Sequence, residues 1–353
     1  MKLWSKRTPR DFVIPTEGID EVVTIRIGGV EQTLLIQGYS AENPVLFFIH
    51  GGPSMPLPGV SSRGQDYALA ICTKELVKHC TVVFWDQRGT GKSFHKELTD
   101  KDIHMKLFIQ DGLWITDYLR KRFHQSQIHL AAHSWGTVLG MQLIHRYPDR
   151  YRSYSGLSQI VNWVENDRLC YKWLMEEAVR SKNKKMIAEL KLIGEAPYPE
   201  TMKQWGALRK WLMRNQSMLY DAGDGESPTM PKLFKLMLRS GEYNLTDVFN
   251  SLIRGFKLAY NERMIRDIQS FDFMTTIRSV DVPVQFIHGR QEKHVLPQLV
   301  ESFCNQLNAY HGKRFLWAEN SSHVFHPCDA KMNESRLLEW IDIYEETAEG
   351  IVG

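Results

Sequence analysis

Hydrophobic and polar positions follow two different rules along this chain. Near its start they alternate: Val22–Ile27 and Thr33–Gln37 are split by Gly28-Gly29, which predicts a two-stranded hairpin. Val45–Ile49 is instead continuously apolar, as suits a strand covered on both faces of a parallel sheet, and it ends at His50-Gly51-Gly52-Pro53. Three later runs share that character. Thr81–Trp85 ends at Asp86-Gln87-Arg88-Gly89, Ile128–Ala132 at His133-Ser134-Trp135-Gly136, and Val284–Ile287 at His288-Gly289-Arg290. Helical periodicity lies between them, as in Leu107–Arg122 and Thr137–Arg146. Strands alternating with helices predict βαβ crossovers and a mostly parallel sheet. Ligand sites in such sheets gather beyond the carboxyl ends of the strands, where all four loops fall.

The middle of the chain obeys the helical rule alone. From about Asn162 to Phe271 no strand pattern occurs, and apolar residues recur at helical spacing in Asp167–Arg180 and Lys185–Leu192. Gly194–Pro199 and Asp221–Pro228 interrupt it, and a strand pattern returns at Val282-Pro283-Val284. The expected organisation is an α/β core from residues 1–160 and 272–353. A helical cap, residues 161–271, is inserted over the sheet.

Composition narrows the classes. A chain of 353 residues can bury one large core carrying an inserted subdomain. Its net charge is only +3 and no Lys/Arg block occurs, so nucleic acid is not an expected partner. No stretch approaches about 18 uninterrupted apolar residues, so no membrane partner is expected. No apolar segment follows Met1–Arg7 as in a secretory signal. The five cysteines, at 72, 80, 170, 304 and 328, are odd in number and lack C-x-x-C spacing. That argues against a disulfide framework or a zinc site. A cytoplasmic protein without metal or cofactor is the simplest expectation.

Within this frame Ser134 stands out. Ala132-His133-Ser134-Trp135-Gly136 follows a strand and opens a helix, the setting of a nucleophile elbow. The turn requires small residues two before and two after the serine; Gly136 meets this fully and Ala132 adds one methyl. An ordinary N-capping serine is the simpler alternative. A serine hydroxyl needs an imidazole to take its proton, and this fold places serine, acid and histidine in that order along the chain. His323 follows the last predicted strand, Arg314–Trp317; His326 is its main competitor, and His311 precedes the strand. Glu292, after Val284–Ile287, is the expected acid, with Asp167 as a more remote rival. Gly52 and the N–H of Trp135 are the expected oxyanion donors, with Gly51 as the alternative to Gly52. His50 is read as bracing its loop.

These residues together resemble the proline iminopeptidase (prolyl aminopeptidase) group of α/β-hydrolases. The resemblance rests on His50-Gly51-Gly52-Pro53, Asp86-Gln87-Arg88-Gly89-Thr90-Gly91-Lys92-Ser93, the elbow, the Gly289-Arg290-x-acid loop and His323. It spans roughly residues 22–160 and 272–345. It implies a helical cap, a metal-free acyl-enzyme mechanism, loop-bracing roles for Asp86 and Arg88, and in peptidase members cap carboxylates that hold the substrate's free amine. The chain departs from that group at Ser54, Ala132 and Glu292, and no Trp-x-x-Trp-Glu occurs in the cap. Glu165, Glu176, Glu177 and Glu242 are the available amine-binding candidates. Trp163, Trp173, Trp205 and Trp211 would suit a roomy apolar pocket or cap-to-core packing. The expected function is hydrolysis of a small ester or a short peptide through an acyl-enzyme. A carboxylesterase or lactone hydrolase without peptidase activity is the close alternative, and a non-catalytic binding protein the distant one. Haloalkane or epoxide chemistry would need aspartate where Ser134 stands.

Overall fold

The computed structural model describes residues 10–198, 201–223 and 228–349. Met1–Arg7, Pro199 and part of the Asp221–Pro228 interruption lie outside these residues. The strands are β1 (Ile19–Ile27), β2 (Val30–Gly38), β3 (Val45–Ile49), β4 (Thr81–Asp86), β5 (Ile128–His133) and β6 (Tyr151–Leu157). They continue with β7 (Ser279–Val280), β8 (Val284–Gly289), β9 (Asn308–Ala309) and β10 (Lys313–Ala318). Eight of them form one sheet in the order β1-β2-β4-β3-β5-β6-β8-β10, while β7 and β9 pair separately. β1, β2 and β4 pair antiparallel, and every pairing from β4 to β10 is parallel. The chain thus has the mostly parallel, helix-flanked sheet of an α/β-hydrolase fold.

The continuous apolar runs have a direct cause. Alternate residues of one strand enter two different cores. Phe47, Ile49, Val83, Trp85, Leu130 and Ala132 pack with the helices Met105–Arg122 and Trp135–Arg146. Their neighbours Leu46, Phe48, Val82, Phe84 and Ala131 pack with Leu76, Val77, Leu337 and Ile341 on the other side. With both faces covered, no position on these strands is left for a polar residue facing water.

Between β6 and β7 the described elements are helical. They include Trp163–Arg180, Lys184–Ile193, Thr201–Arg214, Met230–Arg239, Leu245–Phe249 and Glu262–Ser270. The insertion leaves and re-enters the core at one place: Asn162 bridges Asp272, and the Phe273 N–H donates to the Val161 carbonyl at 2.8 Å. The Asn162 side chain also accepts from the Glu165 N–H at 2.9 Å, capping the first helix of the insertion. No helix among the described residues is long and apolar enough to cross a membrane.

Candidate active site

Ser134 sits between β5 and the helix Trp135–Arg146 at φ 53° and ψ −122°, a left-handed region that costs a non-glycine residue about 1–3 kcal/mol. The Ser134 N–H donates to the Leu157 carbonyl at 2.9 Å, which ties the strained turn to β6. The requirement for glycine at 136 comes from β3. A Cβ there would lie 2.3 Å from the Ile49 carbonyl oxygen and 2.7 Å from that of His50. Ala132 is fully buried, facing Ile49 of β3 and Gly156 of β6.

His323 reaches Ser134 from the loop after β10. Its Nε2 is 2.8 Å from Ser134 Oγ, and its Nδ1 is 3.0 Å from Glu292 Oε2. Glu292 is 1% exposed. Its Oε1 accepts from the N–H groups of His294 and Val295 at 2.9 and 3.0 Å, and its Oε2 from the Ser158 hydroxyl at 3.0 Å. Burial by itself would raise this carboxyl. The His323 and His288 imidazoles and the Val295 N–H outweigh it and hold the pKa down to about 2. A carboxylate fixed in this way orients the imidazole with Nε2 toward the serine.

The competing histidines and acid lie elsewhere. His326 packs its ring on Tyr220 and accepts from the Cys328 N–H at 3.2 Å. The His311 carbonyl accepts from the Tyr344 hydroxyl. Asp167 is held by Arg209 in the insertion. His50 braces its loop: Nδ1 bonds the Gly51 carbonyl at 2.6 Å, Nε2 meets the Gln87 N–H at 3.3 Å, and burial pushes its pKa down to about 4. Gln87 extends the brace, donating to the His50 carbonyl at 2.8 Å and accepting from the Trp135 indole at 3.1 Å. Arg88 forms a buried ion pair with Asp111 at 2.5 Å, and Asp86 accepts from Val60 N–H, Lys92 N–H and the Tyr243 hydroxyl.

Gly52 and Gly51 are brought against the serine. Gly52 has φ 117°, and a Cβ on it would lie 2.3 Å from Ser54 N and 2.5 Å from Met55 N. A Cβ on Gly51 would lie 3.1 Å from Ser134 Cβ, so the loop passes close against Ser134. The Trp135 N–H belongs to the first turn of its helix, where no intrahelical acceptor exists. From the insertion, the Tyr260 hydroxyl donates to the Gly52 carbonyl.

A family profile described as the alpha/beta hydrolase fold matches residues 44–327. The chain belongs to this family. A Bacillus subtilis (strain 168) protein named probable aminopeptidase YbaC is 29% identical over 304 residues, covering 86% of this chain and 90% of its own. Two solved structures share the fold of this chain. Proline iminopeptidase of Mycobacterium smegmatis has a TM-score of 0.60 at 16% identity, over 93% of this chain and all of that one. An epoxide hydrolase of Vigna radiata has a TM-score of 0.53 at 16% identity, over 92% and 98%.

Two cavities in this α/β-hydrolase include Ser134 in their walls. The larger, about 300 Å³, is mostly apolar, with Met55, Leu57, Met218, Phe234, Leu252 and Phe256 among its walls. The smaller, about 50 Å³, lies among Trp163, Asn166, Trp205, Arg209, Tyr260 and His294. Neither has a carboxylate in its described lining. Of the amine-binding candidates, Glu165 pairs with Arg168, Glu177 with Arg180 and Glu242 with Arg63, while Glu176 is exposed. Trp163 and Trp205 face the small cavity. Trp211 instead donates to Glu189, and Trp173 is half-buried against the core.

Sequence reasoning missed Ser158, Tyr260, His294 and Arg209. Ser158 was legible in outline, being the residue at the carboxyl end of β6. The other three depend on how loops and insertion helices face one another.

Proposed function

We propose that this α/β-hydrolase is a serine hydrolase that cleaves small carboxylic esters through an acyl-enzyme. The observation carrying the proposal is the unbroken Ser134–His323–Glu292 hydrogen-bond chain of 2.8 and 3.0 Å. Ser134 Oγ attacks the ester carbonyl as His323 Nε2 takes its proton. The tetrahedral oxyanion receives the N–H groups of Gly52 and Trp135. His323 then returns the proton to the departing alcohol, leaving Ser134 acylated. Water, deprotonated by His323, reverses the sequence and releases the acid. Glu292 orients the imidazole and stabilises imidazolium. An ester is favoured over an amino-terminal peptide bond because, among the described residues, the cavity walls offer an apolar surface and no carboxylate for an ammonium group. The aminopeptidase reading rests on the motif resemblance to the proline iminopeptidase group and on the name of the Bacillus subtilis relative.

A fluorophosphonate probe tests the mechanism. Peptide mapping is expected to find one phosphonylated residue, Ser134, together with turnover of p-nitrophenyl butyrate and slower or no turnover of proline p-nitroanilide. Well-folded protein that takes up no label at Ser134 would sink the enzyme reading in favour of a binding protein.

The bond from Tyr260 to the Gly52 carbonyl gives a smaller prediction. It pins the loop that presents the Gly52 N–H. Tyr260→Phe removes one hydrogen bond worth about 1 kcal/mol, so kcat for p-nitrophenyl butyrate should fall about fivefold. KM should move much less, because the donor acts on the oxyanion of the transition state. An unchanged kcat would show that the bond does not position the loop.

A further inference from the structure

The small cavity beside Ser134 is built by two matched helical pairs. Trp163 and Asp167 lie four residues apart on the helix Trp163–Arg180, and Trp205 and Arg209 four apart on Thr201–Arg214. Such pairs share a helix face. Here the faces meet. The Arg209 guanidinium lies 5.2 Å from the Trp163 ring centroid and 4.8 Å from that of Trp205, and Nη2 bonds Asp167 Oδ1. Asp167 is sealed beneath, its side chain 1% exposed, whereas that of Arg209 retains 14%.

This arrangement leaves hydrogen-bond donors that have no acceptor among the described residues. Of the three Arg209 nitrogens only Nη2 has an acceptor among the described residues; Nε is buried without one, as is the Trp205 indole Nε1. Neither guanidinium nor indole can accept a hydrogen bond. Asp167 is paired with Arg209 and does not line the cavity. His294 adds an imidazole whose Nδ1 is occupied by Ser217 Oγ at 3.1 Å. Unmet donors in a confined space are costly, and a ligand that supplies an acceptor recovers that cost. The volume of about 50 Å³ suits a group of a few atoms.

We propose that Arg209 is a substrate-anchoring residue. It binds a carboxylate or carbonyl oxygen at the polar end of the ester while the apolar remainder occupies the larger cavity. The reading rests on the serine-hydrolase proposal and names its substrate class: esters carrying a second, preferably anionic, acceptor. It predicts the opposite charge preference from an aminopeptidase. Contact with two indole rings restrains the guanidinium, whose planar fork favours a two-oxygen acceptor.

Matched esters test it. The p-nitrophenyl monoester of glutaric acid, its neutral methyl diester and p-nitrophenyl 4-(trimethylammonio)butanoate place a negative, neutral or positive end on similar acyl chains. 4-Butanoyloxybenzoate and its methyl ester place the same carboxylate or neutral group on the leaving group. In the wild-type enzyme kcat/KM should be about 10- to 100-fold higher for an anionic ester than for its neutral partner in one of the two series, and lowest for the cation. The series that responds tells on which side of the scissile bond Arg209 lies. Removing Arg209 alone would strand buried Asp167, so the variant is Arg209→Gln with Asp167→Asn. Its anionic-to-neutral ratio should fall to about 1. Arg209→Lys, which keeps the charge but not the planar fork, should give an intermediate ratio. Thermal melting and the Ser134 fluorophosphonate titre confirm that each variant is folded. The proposal is overturned if the cationic ester or proline p-nitroanilide equals the anionic ester, or if the ratio survives in the double variant. Failure of the wild-type enzyme to take the label at Ser134 would overturn the hydrolase reading and this one with it. Labelling with the wrong charge preference would overturn this one alone.

Discussion

Replacing His323 by alanine is expected to lower kcat for p-nitrophenyl butyrate by about 10⁵- to 10⁶-fold, and Ser134→Ala by as much. The reason is that no other group can take over the proton. His133 and His294 have ring centroids only 4.9 and 5.0 Å from that of His323, yet both are committed. His133 Nε2 bonds the His323 carbonyl at 3.1 Å, and burial together with the neighbouring His323 pushes its pKa down to about 3. His294 is held by Ser217, and burial, His323 and Arg209 push it well below its ordinary value. Either would be a poor base at neutral pH. Serine and histidine act as one unit, so the double variant Ser134→Ala/His323→Ala should lose no more than either single one. Loss that multiplied would mean that the two residues act independently. A His323→Ala enzyme retaining more than about 1% of kcat, with His294→Ala inactive, would transfer the base role to His294.

The constellation was legible in the sequence because strand adjacency does most of the assembly. β8 and β10 are neighbours with Gly289 opposite Ala318, so the loops that follow them, bearing Glu292 and His323, emerge side by side. β6 lies next to β8 with Leu157 opposite Ile287, which delivers Ser158 to Glu292. Any parallel sheet that ends its strands in functional loops will converge them in this way. The order β1-β2-β4-β3-β5-β6-β8-β10 was not legible, since the runs that form β3, β4, β5 and β8 are all mostly apolar and buried along their whole length. Glycine offered a second handle. Gly52 and Gly136 are each required by backbone atoms within 2.8 Å of a would-be Cβ.

The insertion was harder to read for a physical reason. Helical periodicity says which residues of one helix share a face, and not which other helix that face meets. Along the chain Trp163 and Trp205 suit a pocket or cap packing equally, Asp167 is a remote rival acid, and Arg209 looks like an ordinary surface residue. Their meaning appears only when two helices 20 residues or more apart present those faces to each other. The same limit left Glu165, Glu176, Glu177 and Glu242 indistinguishable as amine-binding candidates, whereas in the fold three form ion pairs and none lines the cavities.

Glu292→Gln should reduce kcat by about 10³- to 10⁴-fold with little change in size or fold. The amide oxygen can still accept from the His294 and Val295 N–H groups. The amide nitrogen then faces His323 Nδ1 and the Ser158 hydroxyl, where the carboxylate accepted from both. An amide donor there favours the imidazole tautomer with its proton on Nε2, which points at Ser134 Oγ and cannot accept its hydrogen. The same substitution has a signature in stability that a purely catalytic role would lack. The folded-state pKa of Glu292 is about 2 against an ordinary value of 4.5, so the native protein favours the ionised form. Its contribution is fully present above about pH 4.5 and disappears as pH falls toward 2. Glutamine does not titrate. The stability advantage of wild type over Glu292→Gln, from urea midpoints, should therefore shrink by about 3 kcal/mol between pH 5 and pH 2. Groups whose titration does not depend on Glu292 cancel in that difference, whereas His323 and His288 are part of the effect of removing its charge. A gap that stays constant or widens on acidification would mean that Glu292 is not held as an anion. Its place behind His323 would then be structural.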